Sequence, residues 1–358
     1  MPLFFDSKMN LEDFNYECPE HLIAQEPLSN RDDCKLLVIE PDSKINHFIF
    51  KDIINLLPKN ALLILNDTKV IPARIPIKRK SGGRGEMLIQ EQMPNGDLLA
   101  MGRPSKRLKV GERLNCLHNE NYEIELLESL DHGNWKIKFI PEIIFPEQLH
   151  LVGEIPLPPY IERKDGPNHQ DLELYQTVFA EQPGSAAAPT ASLHFTPELL
   201  SEVLTKGIQI EKLTLHVGSG TFLPVRTESL EDHVMHLESY VISENVSKQI
   251  LKAKSEKRPI VAVGTTVVRA LESASELILQ GKAAKDQTQL FIRPPYQFKV
   301  VDELITNFHL PKSTLLMLVS ALCGVDTLKQ AYQVAVNSNY RFFSYGDAMY
   351  LRKKLTRK

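Results

Sequence analysis

Apolar runs and helical spacings alternate along the first 75 residues. "KLLVIE" at 35–40 and "ALLILND" at 61–67 are short apolar runs bounded by polar residues, which is typical of buried strands. "FKDIINLLPK" at 50–59 has the apolar spacing of a short helix, and Pro58 predicts where that helix ends. This succession predicts an α/β domain.

The pattern changes between residues 76 and 151. Short segments such as "GEMLIQEQ" and "WKIKFI" are separated by the turn sequences "SGGRG", "PNGD" and "DHGN". Strand-like segments with frequent turn signals are typical of a small β-barrel. Longer helix and strand patterns resume after residue 152. The predicted fold is therefore an α/β main domain with a mixed sheet, formed by 1–75 and 152–358 and interrupted by an inserted all-β barrel domain at 76–151.

Composition changes this picture little. The chain has 358 residues, of which 42% are hydrophobic, and no apolar run approaches the roughly 20 residues of a membrane span. The amino-terminal residues lack the pattern of a signal peptide, so we expect a cytoplasmic protein that is not in a membrane. We also expect a monomer. The four cysteines form no C-x-x-C pair, which predicts reduced, mostly buried thiols and neither a zinc site nor a disulfide framework.

Positive charge is concentrated in two regions of a chain whose net charge is -3. Residues 74–113 contain ten basic and four acidic residues, a net charge of +6. Residues 340–358 contain six basic and one acidic residue, a net charge of +5. Such regions indicate a polyanionic partner, although solvated surface charges explain them equally well.

The stretch "LTLHVGSGTFLPVR" at 213–226 places two glycines directly after an alternating apolar segment. A nucleotide-binding loop would continue into a helix, but Pro224 disfavours one. The remaining interpretations are a strand-end turn that a ligand approaches closely, with His216 and Arg226 near it in sequence, or a plain tight turn.

A second junction, "IVAVGTTVVRALESA" at 260–274, predicts a buried strand, a turn at Gly264 and a helix. Thr265 and Thr266 are candidates for its cap, and Arg269 lies about one turn into it. Helix starts of this kind bind carboxylates, phosphates or ribose hydroxyls, whereas an ordinary capped helix is the alternative.

Three further stretches place polar residues in apolar surroundings: "EQPGSAAAPTASLHF" at 181–195, "LITNFHLPKSTLLMLVSALCG" at 304–324 and "YRFFSYGDAMYL" at 340–351. Each lone histidine is more often structural than catalytic, but their joint occurrence favours a site. The histidines of "DHVMHLES" at 232–239 lack the H-E-x-x-H arrangement, so we predict no metal site.

Together with "LILNDTKVIPAR" and "GEIPLPPYI", these segments resemble, in this order, the signatures of the S-adenosylmethionine:tRNA ribosyltransferase-isomerases of queuosine biosynthesis. The resemblance spans nearly the whole chain. The family usually has glycine where this chain has Ser192 and Pro295, and serine where it has Val267, so we expect no chemical role for Ser192 or Val267.

The resemblance implies a transferase that uses S-adenosylmethionine as a ribosyl donor. The ribosyl group would pass to 7-aminomethyl-7-deazaguanine at the tRNA wobble position and be isomerised, giving epoxyqueuosine, adenine and methionine. No metal or redox cofactor is expected for these steps. Two other classes of protein remain open: an RNA methyltransferase, which would release S-adenosylhomocysteine, and a non-catalytic RNA-binding protein.

This chemistry assigns expected roles to the candidate residues. The sulfonium acidifies the ribose 5′ carbon, and departing adenine needs a proton, so an acid and a base are required. The predicted catalytic residues are His194, His216 and His309, with the roles of acid and base left unassigned among them, and Asp347 as an orienting or basic carboxylate. The predicted donor-binding residues are Thr190, Gly218, Gly220, Thr221, Phe222, Arg226, Gly264, Thr265, Thr266, Arg269, Thr306, Asn307 and Tyr345. The predicted tRNA-binding residues are Arg103, Lys106, Arg107, Lys109 and Arg113.

Overall fold

The protein is seen in a computed structural model that describes residues 9–164, 166–167, 169–218, 230, 233 and 235–352, apart from the side chains of His132 and His169. The strands are β1 Lys35–Ile39, β2 Ile45–Ile49, β3 Leu62–Asn66, β4 Thr68–Val70, β5 Arg74–Arg79, β6 Arg84–Gln92, β7 Leu98–Arg103, β8 Arg113–Cys116, β9 Glu123–Ser129, β10 Asn134–Ile140, β11 Gln182–Ser185, β12 Gln209–Leu215, β13 Glu238–Ile242, β14 Ile260–Val263, β15 Ala284–Thr288, β16 Glu303–Asn307 and β17 Ala348–Leu351. The helices are α1 Ile53–Leu56, α2 His169–Leu174, α3 Pro197–Thr205, α4 Glu244–Ser255, α5 Thr265–Ser273, α6 Ser275–Ile278, α7 Thr314–Cys323 and α8 Val325–Asn337.

The chain divides into two compact units. Unit 1 contains residues 1–66, 189–215 and 220–358, and unit 2 contains 67–188 and 216–219. The chain passes from one unit to the other directly after β3 and directly after β12. Unit 2 contains the barrel strands and extends on both sides of the segment 76–151.

Unit 1 is built on a mixed sheet. Within the described residues it has nine strands, in the order β15-β13-β12-β3-β14-β16-β17-β1-β2. The four central strands, β12, β3, β14 and β16, are parallel, and the flanking pairs β12–β13 and β16–β17 are antiparallel. Strands β3 and β14 are buried along their whole length, as their continuous apolar sequences predict.

Helix α5 is the central helix of this unit, and it contacts strands β3, β12, β14 and β16. Every residue from Thr265 to Glu272 is buried, including the charged ones. A charge buried to this degree requires a partner. The Glu272 carboxylate accepts hydrogen bonds from the backbone N–H groups of Lys299, Val300 and Val301 at 2.8–3.0 Å and from the hydroxyl of Tyr296 at 3.3 Å.

Unit 2 contains a closed antiparallel barrel of strands β10-β7-β6-β5-β8-β9, all within the continuously described segment 9–164. Alternating side chains such as Met87, Leu114, Trp135 and Phe139 fill its interior. The barrel begins at Arg74, two residues before the predicted start of the insertion. The predicted fold class, a mixed-sheet α/β domain with a small β-barrel, is confirmed.

Candidate active site

Polar residues gather at one edge of the sheet in unit 1. The carboxyl ends of the parallel strands meet there, so Asn66 at the end of β3, Gly264 after β14 and Asn307 at the end of β16 share this edge. Strand β17 runs opposite to β16 and begins at the same edge, which places Asp347 there. Ligands of α/β proteins bind outside the carboxyl ends of such strands.

The junction after β14 has the predicted strand-turn-helix form. Gly264 adopts φ +92°, a conformation that favours glycine, and its N–H donates to the carbonyl of Ile305 at 2.8 Å. Gly264 is itself the cap residue, so Thr265 and Thr266 lie inside the first turn and not at the predicted cap position. Thr266 Oγ1 receives a hydrogen bond from Asn66 Nδ2 at 3.3 Å, which ties the helix start to β3.

Arg269 has a different environment from the one its predicted role requires. Its guanidinium forms a buried ion pair with Glu238, and its Nε donates to the carbonyl of Leu290 at 3.2 Å. Only 4% of the arginine side chain and 1% of the glutamate side chain is exposed. The expectation that Arg269 binds the donor carboxylate does not fit this geometry, because Glu238 already occupies the guanidinium.

His194 lies in a hydrogen-bonded chain with Cys34 and Asn307. It ends the short 3-10 helix Thr190–His194, which also contains the half-buried Thr190. Cys34 Sγ lies 3.2 Å from His194 Nδ1, and Asn307 Nδ2 lies 2.9 Å from Nε2. Burial lowers the pKa of His194 to about 4, since desolvation disfavours the imidazolium. Both ring nitrogens are engaged, which does not fit the predicted role of catalytic acid or base.

His309 is fixed from several sides. Its Nε2 lies 2.9 Å from Thr306 Oγ1, its N–H donates to the hydroxyl of Tyr332 at 2.8 Å, and its carbonyl accepts from Tyr16 at 2.6 Å. Burial lowers its pKa to about 3. Such a histidine stays neutral and orders the loop after β16.

His216, in unit 2, has the surroundings of a catalytic base. Its Nδ1 lies 2.8 Å from Thr68 Oγ1, and within the described residues no partner is found for Nε2. The ring packs against Gly184, where an added Cβ would come within 3.1 Å of Nε2. The side chain is half-buried, and burial lowers its pKa. One ring nitrogen is therefore oriented, and among the described residues nothing engages the other.

The loop around His216 is held by Ser185 of β11. Ser185 Oγ accepts from the N–H of Val217 at 2.9 Å, and the N–H of Ala186 donates to the carbonyl of Val217 at 3.0 Å. Gly218 follows, also half-buried. The predicted donor-binding residues Gly220, Thr221, Phe222 and Arg226 lie outside the described residues.

Asp347 and Tyr345 are buried in the turn before β17. The Asp347 carboxylate accepts from the backbone N–H groups of Lys35 at 2.9 Å and Arg341 at 2.7 Å, and only 1% of the residue is exposed. Burial raises the pKa of this carboxyl group, against the effect of the two amides. These contacts make Asp347 an anchor between the turn and β1 and do not fit a base that acts on a substrate.

The five predicted tRNA-binding residues are all exposed on the barrel of unit 2. Arg103 ends β7 near Glu86, and Arg113 lies near Glu123, at 3.7 and 3.5 Å. Within the described part of the barrel, no ion pair is found for Lys106, Arg107 or Lys109. These three side chains are the better candidates for phosphate contacts.

A cleft of about 830 Å³ lies in the same unit. Its lining includes Arg103, Pro104, Glu154, Pro158 and Lys164. One predicted RNA contact therefore borders a concave surface with charged and apolar walls.

Sequence reasoning missed four residues that these interactions involve: Cys34, Asn66, Thr68 and Gly184. The sequence indicates only an inert thiol at Cys34. The polar residues of "LNDT", at the end of a buried strand and directly after it, are a signal for Asn66 and Thr68. In the described residues, no three His, Cys, Asp or Glu side chains form a possible metal site.

No single helix among the described residues is long and apolar enough to cross a membrane. Helices α7 and α8 reach that length and hydropathy only as a pair, bent by 112°.

Comparison with known proteins identifies relatives over almost the whole chain. Residues 11–351 match the family model described as queuosine biosynthesis protein. The S-adenosylmethionine:tRNA ribosyltransferase-isomerase of Halothermothrix orenii is 48% identical over 343 residues, covering 95% of this chain and 99% of the relative. Its namesake from Staphylococcus haemolyticus is 46% identical over 344 residues, with 95% and 99% coverage.

A solved structure has the same fold. The crystal structure of S-adenosylmethionine tRNA ribosyltransferase from Thermotoga maritima is 34% identical, covers 95% of this chain and 99% of its own, and has a TM-score of 0.52. The resemblance inferred from the motifs is thereby confirmed. The chain belongs to the queuosine biosynthesis protein family of ribosyltransferase-isomerases.

Proposed function

We propose that this protein transfers the ribosyl group of S-adenosylmethionine to 7-aminomethyl-7-deazaguanine at the tRNA wobble position and isomerises it, releasing adenine and methionine. The names of the relatives support the donor and the tRNA. The environment of His216 is the observation in this chain that carries the proposal, because the reaction needs a base that is neutral near pH 7.

The first step is removal of a proton from the 5′ carbon of the donor ribose. The adjacent sulfonium stabilises the resulting carbanion as an ylide. When Nδ1–H of His216 donates to Thr68 Oγ1, the lone pair of Nε2 is free to take this proton. The lowered pKa of His216 keeps the ring in its basic form at neutral pH.

The departing adenine needs a proton in a later step. The imidazolium formed at His216 is an acid of suitable strength, so the proton taken from carbon is available for adenine. Of the other predicted catalytic residues, His194, His309 and Asp347 serve in this proposal to order the sheet edge and not to transfer protons.

The donor-binding residues of unit 1 are proposed at the sheet edge. The first turn of α5 presents N–H groups that lack partners within the helix, and Thr265 and Thr266 add hydroxyls. Thr190, Thr306, Asn307 and Tyr345 remain proposed donor contacts.

The exposed cations of the barrel are proposed to bind tRNA phosphates.

Product analysis tests the proposal. Purified protein with S-adenosylmethionine and tRNA carrying the deazaguanine precursor should release adenine and methionine in equal amounts, measured by liquid chromatography and mass spectrometry. S-adenosylhomocysteine as the main product would identify a methyltransferase instead. Binding of tRNA with no turnover of the donor would indicate a non-catalytic RNA-binding protein.

A further inference from the structure

Asn66 and Asn307 end two strands of the same sheet but differ in how their amides are satisfied. Both ends of the Asn66 amide are bonded: Oδ1 accepts from the N–H of Leu215 at 3.0 Å, and Nδ2 donates to the Leu215 carbonyl at 2.9 Å and to Thr266 Oγ1 at 3.3 Å. Asn307 is 2% exposed, and its Nδ2 is bonded to His194. Its Oδ1 is buried and has no partner among the described residues.

A buried acceptor without a partner requires an explanation, because leaving it unsatisfied costs about 1–3 kcal/mol. Ser192 Oγ is a second buried polar atom without a described partner. It belongs to the 3-10 helix that contacts β16, the strand that ends at Asn307. Two such atoms on adjoining elements, at the carboxyl edge of the sheet, indicate a place where a polar ligand completes the hydrogen bonding.

The orientation of the Asn307 amide follows from its neighbours. Asn307 Nδ2 can only donate, so His194 Nε2, 2.9 Å away, is the acceptor and the ring proton lies on Nδ1. Cys34 Sγ lies beside Nδ1 at 3.2 Å. With the ring proton on Nδ1, Nε2 is an acceptor and pairs with the Asn307 N–H. The amide oxygen is then the atom left for a ligand, and that ligand must supply an N–H or O–H donor.

We propose that Asn307 Oδ1 accepts a hydrogen bond from the adenosine part of the donor, with His194 and Cys34 as positioning residues that hold the amide in this orientation. This inference rests on the proposed function, which supplies the donor. Adenosine offers two kinds of suitable group, the ribose hydroxyls and the 6-amino group, and both are donors of the required type.

Calorimetry with four ligands tests the hydrogen bond. The ligands are S-adenosylmethionine and its 2′-deoxy, 3′-deoxy and 6-deamino analogues, each lacking one donor. In the parent protein, one analogue should bind about tenfold or more weakly than S-adenosylmethionine. In Asn307→Ala, the dissociation constant of that analogue divided by that of S-adenosylmethionine should fall to about one. Asn307→Ser provides a second variant if the alanine protein does not fold.

Identical ratios for all three analogues in the parent and the variant would overturn the proposal, because Oδ1 would then bond only to water or to protein. Ser320→Ala is the control. It removes a buried hydroxyl of α7 that donates to the carbonyl of Met317 at 2.7 Å and is no proposed donor contact, so it should lower the melting temperature and leave the ratios unchanged.

The positioning role has its own readout. Cys34→Ser retains a polar neighbour for Nδ1, whereas Cys34→Val removes it. Nitrogen-15 NMR of the His194 ring should show the Nδ1–H tautomer in the parent and the serine variant, and the valine variant should lose part of the discrimination between ligands. An unchanged spectrum and unchanged ratios in Cys34→Val would exclude Cys34 from this role. A protein that discriminates among the ligands yet releases no adenine would contradict the proposed reaction and not the hydrogen bond.

Discussion

At the residue scale, His194, His216 and His309 differ in burial and in how many of their ring nitrogens are bonded to other residues. His194 has both ring nitrogens engaged, and His309 is buried with its backbone and Nε2 held. His216 is half-buried, with Nδ1 on Thr68. Reactivity needs partial exposure together with orientation, so His216 is the strongest candidate for the base.

Replacing His216 by alanine should lower kcat by about 10²–10⁴-fold, the range expected when a general base is removed. Thr68→Val should lower kcat less, because the base remains but loses its orientation. The donor dissociation constant, measured by calorimetry, should be unchanged in both variants. A kcat within twofold of the parent for His216→Ala would remove His216 from the mechanism.

The pH profile of kcat follows from the same assignment. A base acts when deprotonated, so kcat should fall as the pH drops through the pKa of His216. Burial lowers that pKa below the usual value near 6.5, so the acid limb should lie below pH 6.5. An acid limb above pH 7 would contradict the assignment.

At the element scale, the start of α5 depends on a backbone conformation that only glycine adopts easily. Gly264→Ala should lower the free energy of unfolding by about 1–2 kcal/mol, because alanine is strained at φ +92°. Steric clash should add little, since the added Cβ meets no atom closer than 3.5 Å. The change should also weaken donor binding, because it shifts the first turn of α5.

Gly207→Ala is the matched control for this change. Gly207 has φ +79° with no atom within 4 Å of an added Cβ, and it follows α3. Urea unfolding should show a similar loss of stability for both variants, while calorimetry should show weaker donor binding only for Gly264→Ala. Equal donor affinity in both would remove the start of α5 from the donor site.

The middle of α5 carries a structural ion pair. Arg269→Ala should destabilise the protein by about 3–5 kcal/mol, because Glu238 is left buried without a partner. The double variant Arg269→Met with Glu238→Gln removes both charges and should recover most of that stability. Urea unfolding measures both. A stable, folded Arg269→Ala protein with weakened donor binding would instead restore the carboxylate-binding role.

At the scale of the whole molecule, one of the two basic regions, residues 74–113, belongs to unit 2, whereas the mixed sheet belongs to unit 1. The net charge of +6 over residues 74–113 falls within unit 2, and the exposed cations Lys106, Arg107 and Lys109 lie there without described ion pairs. Phosphate binding by such side chains releases counterions and therefore depends steeply on salt.

Neutralising these three residues with glutamine should weaken tRNA binding. The log–log salt slope should decrease in magnitude by roughly 0.7–0.9 for each phosphate-binding side chain that is neutralised. Filter binding at several salt concentrations measures this. The control neutralises three exposed lysines of unit 1, Lys257, Lys282 and Lys285, with the same change in net charge. Equal slopes in the parent and in both variants would show that the barrel cations only solubilise the protein.

The sequence by itself determined the elements and the class of fold. Continuous apolar runs became β1, β3 and β14, the turn-separated segments after residue 76 became barrel strands, and the start of α5 followed from a glycine after a buried strand. These are local properties, because periodicity and turn chemistry act over a few residues. The ordered motifs also identified the family.

The tertiary structure alone decided what each candidate side chain touches. Arg269 meets Glu238, His194 meets Cys34 and Asn307, and His216 meets Thr68, across separations of 31 to 160 residues along the chain. No local pattern encodes such pairs, because strand order brings them together. Burial then sets their chemistry: the same imidazole is a neutral structural group where both nitrogens are bonded, and a candidate base where the described residues bond only one of them.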